Sequence, residues 1–347
     1  MKRFTHKITI FFCIYLFISF LISFLLPYHW GNPWFSSKIQ YLESHNKEMN
    51  ICFFGSSRTY RQVDPFVFDS IINQDSSSNF RSFNLGAPGC FSPQIYFLYE
   101  NFLKSKLVYN TKYCFIELME IDQIRKFDMH KKKNNYWHNL PDFVFVVRSI
   151  LVDHNLMYYT KLDIIRKYFI SIIENIFHLG HFDFLLLNET YYDIAFIGDK
   201  MNGYYSLEKE LKNTRDSNFK KHLSKRKKLF SPHSNNSLLD TTFLKHYRTL
   251  NNLYNDEHLN RIESLINLSV AKNIHLIFFM SPGNSSQELV NLSHHIPKSN
   301  FIDMSDANKF LELYQSNNYF DSGHLNETGS YLYSQRIAES FIELLDK

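Results

Sequence analysis

The amino-acid sequence predicts an α/β protein: a doubly wound parallel sheet in three α/β/α layers, with a long mainly helical insertion, behind one N-terminal transmembrane helix. Three observations predict it. Short apolar runs stop abruptly at Gly or Ser turns, the pattern of strands buried on both faces of a parallel sheet. Amphipathic stretches of helical period separate those runs, which gives the alternation of βαβ units. Near the N-terminus, residues 8–26 carry no charge and are dominated by Phe, Ile and Leu.

As a helix those residues would span about 28 Å, close to the hydrocarbon thickness of a bilayer. Lys2, Arg3 and Lys7 precede the run, so residues 1–7 are expected to stay cytoplasmic, with everything beyond about Trp30 on the far side of the cytoplasmic membrane. A cleaved signal peptide is the competing reading. Against it, the run exceeds a usual signal core, and Pro27-Tyr28-His29-Trp30 offers no small-x-small cleavage site. Residues 27–48 read as a connector, with Tyr28, Trp30 and Trp34 suited to the headgroup level, and residues 49–347 as the folded domain.

The first strand covers residues 50–54 and stops at Gly55-Ser56-Ser57. Further strands are expected at 80–85 before Gly86, at 112–116 before Glu117, at 274–280 before Ser281-Pro282-Gly283, and at 301–303. Helical patterns cover 92–107, 257–272 and 326–345. The alternation breaks at about 122–250, too long for one crossover and helical over 142–177, which reads as an inserted lid or substrate platform. Within it, residues 220–228 are the densest basic run. They form either a solvated face or a contact for anionic lipid headgroups or an acidic polysaccharide.

A chain of 347 residues with 44% hydrophobic and 21% charged residues can bury a substantial core, which argues against intrinsic disorder. Lys+Arg 38 against Asp+Glu 34 is too even a balance for a nucleic-acid partner, which requires concentrated positive charge. The four cysteines lack CxxC spacing, and Cys52 and Cys114, inside strands, are expected as buried free thiols. Without an HExxH motif, a metal-spaced His/Cys set or a phosphate-binding glycine loop, neither metal nor cofactor is implied.

Chemistry gathers at the strand ends. Ser57 sits on a glycine-assisted turn, and Asp321-Ser322-Gly323-His324 puts an acid three residues before a histidine at the start of the last helix. A serine hydroxyl needs an imidazole to take its proton, and the imidazole needs a carboxylate to fix its tautomer and stabilise the imidazolium. Ser57, His324 and Asp321 are the candidates for these catalytic roles. After Asn84-Leu85, Gly86 lets the backbone approach a ligand, so the Gly86 and Ser57 N–H groups are the candidate oxyanion donors. The plainer reading makes Ser56-Ser57 and Asp321 helix caps.

In this order Gly55-Ser56-Ser57, Asn84-Leu85-Gly86 and Asp321-x-x-His324-x-Asn326 resemble the SGNH (GDSL-like) hydrolase superfamily, with its flavodoxin-like sheet and Ser57 aligned on the nucleophile. The GSSR turn, the anchor and the insertion look most like the branch with alginate O-acetylation proteins and the teichoic acid D-alanine transfer protein. The resemblance covers about residues 50–120 and 270–345. It implies a serine esterase or O-acyltransferase acting on acyl groups of a cell-envelope or exported polysaccharide, without cofactor and with a membrane-bound acyl-transfer partner. The third block departs from the pattern: the strand ends Ile116-Glu117-Leu118-Met119-Glu120, where the superfamily has Gly-x-Asn-Asp. Asn84 or Asn284 would then replace the missing oxyanion donor. Glu117 or Glu120 either binds a substrate hydroxyl or caps a helix, and Arg58 either pairs with Glu117 or holds an anionic substrate group. A non-catalytic glycan-binding or assembly component is the alternative.

Overall fold

The computed structural model of the chain describes residues 2–45, 49–74, 79–121, 129, 131–153, 156–177, 193–230, 254–283 and 286–346. The helices α1 (Lys2–Leu25) and α2 (Pro33–Ser44) precede strand β1 (Ile51–Phe54), and α3 (Ser57–Gln62) and α4 (Pro65–Ile72) connect it to β2 (Ser82–Asn84). Then α5 (Ser92–Phe102) leads to β3 (Tyr113–Glu117). The insertion contributes α6 (Lys132–Asn135), α7 (Leu140–Val152), α8 (Tyr158–Ile176), α9 (Ile194–Ile197), α10 (Leu207–Asn213) and α11 (Ser217–Phe230). After it come α12 (Asp256–Val270), β4 (His275–Met280), α13 (Gln287–Ser293) and β5 (Phe301–Asp303). A short antiparallel pair, β6 (Tyr319–Asp321) and β7 (His324–Leu325), opens into α14 (Glu327–Leu345).

Five strands, β1 to β5, make one parallel sheet in the order β2-β1-β3-β4-β5, and each lies on an apolar run expected to be a strand. Because side chains alternate along a strand, such runs need cover on both faces. Cys52, Phe54, Cys114, Ile116, Leu276 and Phe278 face one core, closed by α2, α5 and α12. Ile51, Phe53, Phe115, Ile277 and Phe279 face the other, closed by α4 and α14. Each fully buried Ile, Leu or Phe in these cores stabilises the fold by about 1.5–3 kcal/mol. The strand order reverses between β1 and β3, and the crevice over the carboxyl ends of those strands is where open α/β sheets place their sites.

Polar side chains set the helix starts. Asn32 accepts from Phe35 N–H ahead of α2, Asp64 from Phe66 N–H ahead of α4, and Asn326 from Gly329 N–H ahead of α14. Pro33 and Pro65, at first helical positions, forgo an N–H that would have no intrahelical acceptor.

Helix α1 is long and apolar enough to cross a membrane over Arg3–Ser23, and it begins at Lys2, so the basic residues of segment 1–7 lie on the helix itself. The expectation of a connector after the first helix changes. The connector is an integral part of the body: Phe35, Ile39 and Leu42 recur at helical spacing on α2 and are buried in the larger core. Trp30, expected at the headgroup level, is buried there too, edge-on to Tyr136 at 6.3 Å.

The helical stretch expected at 142–177 consists of two helices, α7 and α8, packed on the larger core through Val146, Ile164, Tyr168 and Ile172. The later part of the insertion crosses the open edge of β2. Asn84 N–H donates to Asn202 O at 2.9 Å, and the Arg61 guanidinium binds Tyr205 O at 2.9 Å and Glu210 at 2.6 Å. An edge strand with unpaired backbone groups is thereby covered, and the chain returns over the carboxyl end of the sheet.

Candidate active site

The turn after β1 is built around a buried carboxylate. Glu117 ends β3, and its Oε2 accepts from Ser56 N–H, Ser56 Oγ and Thr59 Oγ1, each at 2.8 Å. Its Oε1 accepts from Ser281 Oγ at 3.1 Å, just beyond β4, and Tyr333 OH of α14 donates to Ser281 Oγ at 3.1 Å. Three strand ends and the last helix are thus tied to one side chain. Gly55 is required by this close packing: a Cβ there would overlap Thr59 Oγ1 and lie 2.7 Å from Glu117 Oε2. Ser56 caps α3 by accepting from Arg58 N–H at 3.1 Å. Ser57, the first residue of α3, is half-buried, and its N–H has no intrahelical acceptor.

The β6–β7 turn brings the second half of the site. His324 Nε2 lies 2.9 Å from Ser57 Oγ, and His324 Nδ1 lies 2.9 Å from Asp321 Oδ1. An ionised carboxylate only accepts, so Asp321 fixes the proton on Nδ1 and leaves Nε2 to accept from the Ser57 hydroxyl. Gly323 N–H donates to Asp321 Oδ1 at 2.8 Å, and the Gly323 carbonyl accepts from Arg58 Nε and Gln62 Nε2, each at 3.4 Å. Burial acts to raise the Asp321 carboxyl, but the bond and charge of His324, the Gly323 N–H and Arg226 outweigh it and hold the group below the usual carboxylate range.

Arg226 comes from the basic run. Residues 220–228 lie on α11, whose Leu223 is buried against Leu207 and Phe320. Three residues on, the same helix face carries Arg226, whose guanidinium donates to Asp321 Oδ2 and sits 3.2 Å from His324 Nδ1. Lys227 lies 5.5 Å over the Phe320 ring. The rest of the run is exposed apart from Leu223, so the solvated-face expectation describes most of it and fails at Arg226.

The structure therefore brings Ser57, His324 and Asp321 together and gives several other candidates different work. Asn84 is fully buried, with Nδ2 donating to Thr59 O at 2.6 Å and Val63 O at 2.7 Å, so it does not reach a substrate. Its Oδ1 accepts the Gly86 N–H at 2.9 Å, which occupies that candidate oxyanion donor; the Ser57 N–H is the other candidate. Glu117 is fully buried, and its carboxylate is taken up by Ser56, Thr59 and Ser281. Arg58 holds the Gly323 carbonyl and does not pair with Glu117. Asn284 lies outside the described residues.

In the sequence Arg226 stands out only as part of the basic run, and Lys38 does not stand out. The signal for Arg226 is the isolated apolar Leu223 three residues before it. Lys38, on α2, is fully buried and donates to Gly86 O at 2.6 Å, with Nζ 4.0 Å over the Tyr60 ring. Burial, reinforced by Arg61, pushes its ammonium well below the ordinary lysine range. Its signal was the Phe35, Ile39, Leu42 spacing, which marks α2 as a core helix. Cys90, in the loop after Gly86, is a buried thiol pushed up to about 12 by burial, which makes it a poor nucleophile.

As a chemical device, the chain Asp321, His324, Ser57 can deprotonate a serine hydroxyl as it attacks a carbonyl carbon and return the proton to the leaving group. No family model matches the chain, and no curated protein matches it.

Proposed function

We propose that the protein is a membrane-anchored, SGNH-like serine esterase or O-acyltransferase acting on acyl groups of a cell-envelope or exported polysaccharide, with its body on the extracytoplasmic side of the cytoplasmic membrane. The observation that carries the reading is the hydrogen-bonded chain from Asp321 through His324 to Ser57, with 2.9 Å at each step. In this mechanism Ser57 Oγ attacks the acyl carbonyl while His324 Nε2 takes its proton. The oxyanion develops near the Ser57 N–H. His324 then protonates the departing alcohol. Water or a sugar hydroxyl, deprotonated by the same imidazole, releases the acyl group, and the exclusion of water decides between ester hydrolysis and transfer. The β2-β1-β3-β4-β5 order, with the site at the reversal between β1 and β3, supports the doubly wound fold that the resemblance implies.

A second reading, a non-catalytic glycan-binding or assembly component, draws on the occupied Gly86 N–H and on the third strand ending Ile116-Glu117-Leu118-Met119-Glu120, which lacks the Asn of the superfamily's third block. Hydrolysis of an activated acetyl ester, with and without an oligosaccharide acceptor, tests both. Turnover that Ser57→Ala abolishes supports the catalytic reading, and formation of acylated sugar at the expense of free acetate assigns transfer. A folded protein that neither hydrolyses nor transfers, yet retains glycan binding after Ser57→Ala, supports the second reading.

A further inference from the structure

Helix α8 does not end where α1 meets the folded body; it continues alongside α1. Tyr15 OH donates to the Phe177 carbonyl at 2.7 Å and Ser19 Oγ reaches the same oxygen at 3.5 Å. The Phe177 ring stacks on Tyr15 at 6.1 Å and lies 6.5 Å from Phe12. At a rise of 1.5 Å per residue, Tyr15 is about 16 Å along the helix axis from Leu26. A bilayer closing around residues 8–26 therefore also encloses the last turns of α8. The bonds from Tyr15 and Ser19 satisfy a helix-end carbonyl that hydrocarbon would leave unpaired.

The outward surface of the α7–α8 hairpin suits the same solvent. Leu162, Phe169 and Ile176 recur every seven residues on α8, and Leu140, Val144 and Leu151 run along α7; all six are at least 46% exposed. Such a stripe is unusual on a surface facing water. Exposed Arg148, Arg166 and Lys167 accompany it, long basic side chains of the kind whose stems lie along apolar surface, with Arg148 4.0 Å from Glu257. Asp163 is paired with both Arg166 at 2.9 Å and Lys167 at 2.6 Å. The seam between α1 and the hairpin holds a cleft of about 430 Å³ walled by Leu26, Leu140 and Ile176 together with Ser23, Asn139 and Asn175.

From these placements we propose that the α7–α8 hairpin is a second membrane-contacting element. It lies in the body-side leaflet of the bilayer that α1 crosses, deepest at Ile176 and Phe177, and it fixes the tilt of the folded body. The test uses full-length protein in nanodiscs of phosphatidylcholine and phosphatidylglycerol. Nitroxides are attached singly at Leu162→Cys, Phe169→Cys and Ile176→Cys in a Cys13→Ser background, where the buried Cys52, Cys90 and Cys114 are shielded from labelling. Exposed Tyr331→Cys on α14 supplies an aqueous reference, and the native Cys13 supplies the membrane reference. The expected result is an oxygen-over-nickel-chelate accessibility ratio at all three hairpin sites above that of Tyr331→Cys, approaching the Cys13 value at Ile176→Cys. Chelate accessibility at Phe169→Cys and Ile176→Cys equal to that of Tyr331→Cys overturns the proposal. So does an aqueous reading at Cys13. Exclusion of both reagents together with dipolar broadening overturns it too, because a second copy of the chain then covers the face.

Discussion

Replacing Glu117 separates a carboxylate that builds the nucleophile turn from one that touches substrate. Glu117→Ala removes the acceptor of the buried Ser56 N–H, at about 1–3 kcal/mol. It also removes the bonds of Ser56 Oγ, Thr59 Oγ1 and Ser281 Oγ, worth about 0.5–1.5 kcal/mol each. With water entering the vacated space, the net loss is about 4 kcal/mol, or about 8 °C in Tm at about 2 °C per kcal/mol for a chain of this size. Glu117→Gln keeps an oxygen for all three donors and turns its amide toward Ser281, at about 1 kcal/mol. Thermal unfolding of the full chain in detergent, followed by tryptophan fluorescence, reads the stability, and the rate of fluorophosphonate labelling reads the turn. The alanine variant should melt much earlier and lose labelling; the glutamine variant should keep most of both. Glu117→Ala melting with the wild type would refute the scaffolding role, and Glu117→Gln losing activity at unchanged Tm would restore a role toward substrate.

Gly55→Ala should displace the turn, since its Cβ would overlap Thr59 Oγ1 and crowd Glu117, and labelling of Ser57 should fall by about a hundredfold, the scale of losing one oxyanion donor; an unchanged rate would contradict the packing. Arg226→Gln removes a one-third exposed guanidinium from a buried carboxylate, a change of only about 1 kcal/mol after solvent screening. Because the Asp321 carboxyl is held below its ordinary value, its contribution is complete at neutral pH and is lost as pH falls through the depressed value. Without Arg226 that loss should begin at higher pH, and superimposable acid unfolding curves for variant and wild type would remove Arg226 from the account. His258, fully buried with Nε2 2.7 Å from Tyr96 OH, is pushed down to about 3 by burial. The unfolded chain takes up that proton below about pH 6.5, so the wild type should lose stability relative to His258→Gln by about 1.4 kcal/mol per pH unit from there towards pH 3. Parallel urea-unfolding profiles would show that His258 is not buried neutral.

The sheet was legible because burial on both faces leaves an unambiguous trace: Ile51 to Phe54 and His275 to Met280 are apolar almost without interruption and end in turn residues. The order of Ser57, Gly86, Asp321 and His324 along the chain was legible as well, since strand ends and helix starts fix where such residues sit. What escaped depends on side chains that turn back on their own segment or arrive from afar. Asn84 folds onto the Gly86 N–H two residues on, a local bond that consumes the donor a ligand would need. Helix α2 was masked by Ser36, Ser37 and Lys38, polar residues that this fold buries. Arg226 reaches Asp321 from an insertion anchored nearby by few apolar contacts, too sparse a pattern for periodicity to detect.

In the proposed mechanism His324, held by Asp321, activates Ser57. Full-length protein treated with a fluorophosphonate probe and mapped by mass spectrometry addresses it directly. The account predicts a single adduct on the peptide containing Ser57, absent in Ser57→Ala and in His324→Ala, with both variants melting within about 2 °C of the wild type, as half-buried substitutions outside the core should. A folded wild-type protein that takes up no probe, or one whose labelling persists in His324→Ala, would contradict it.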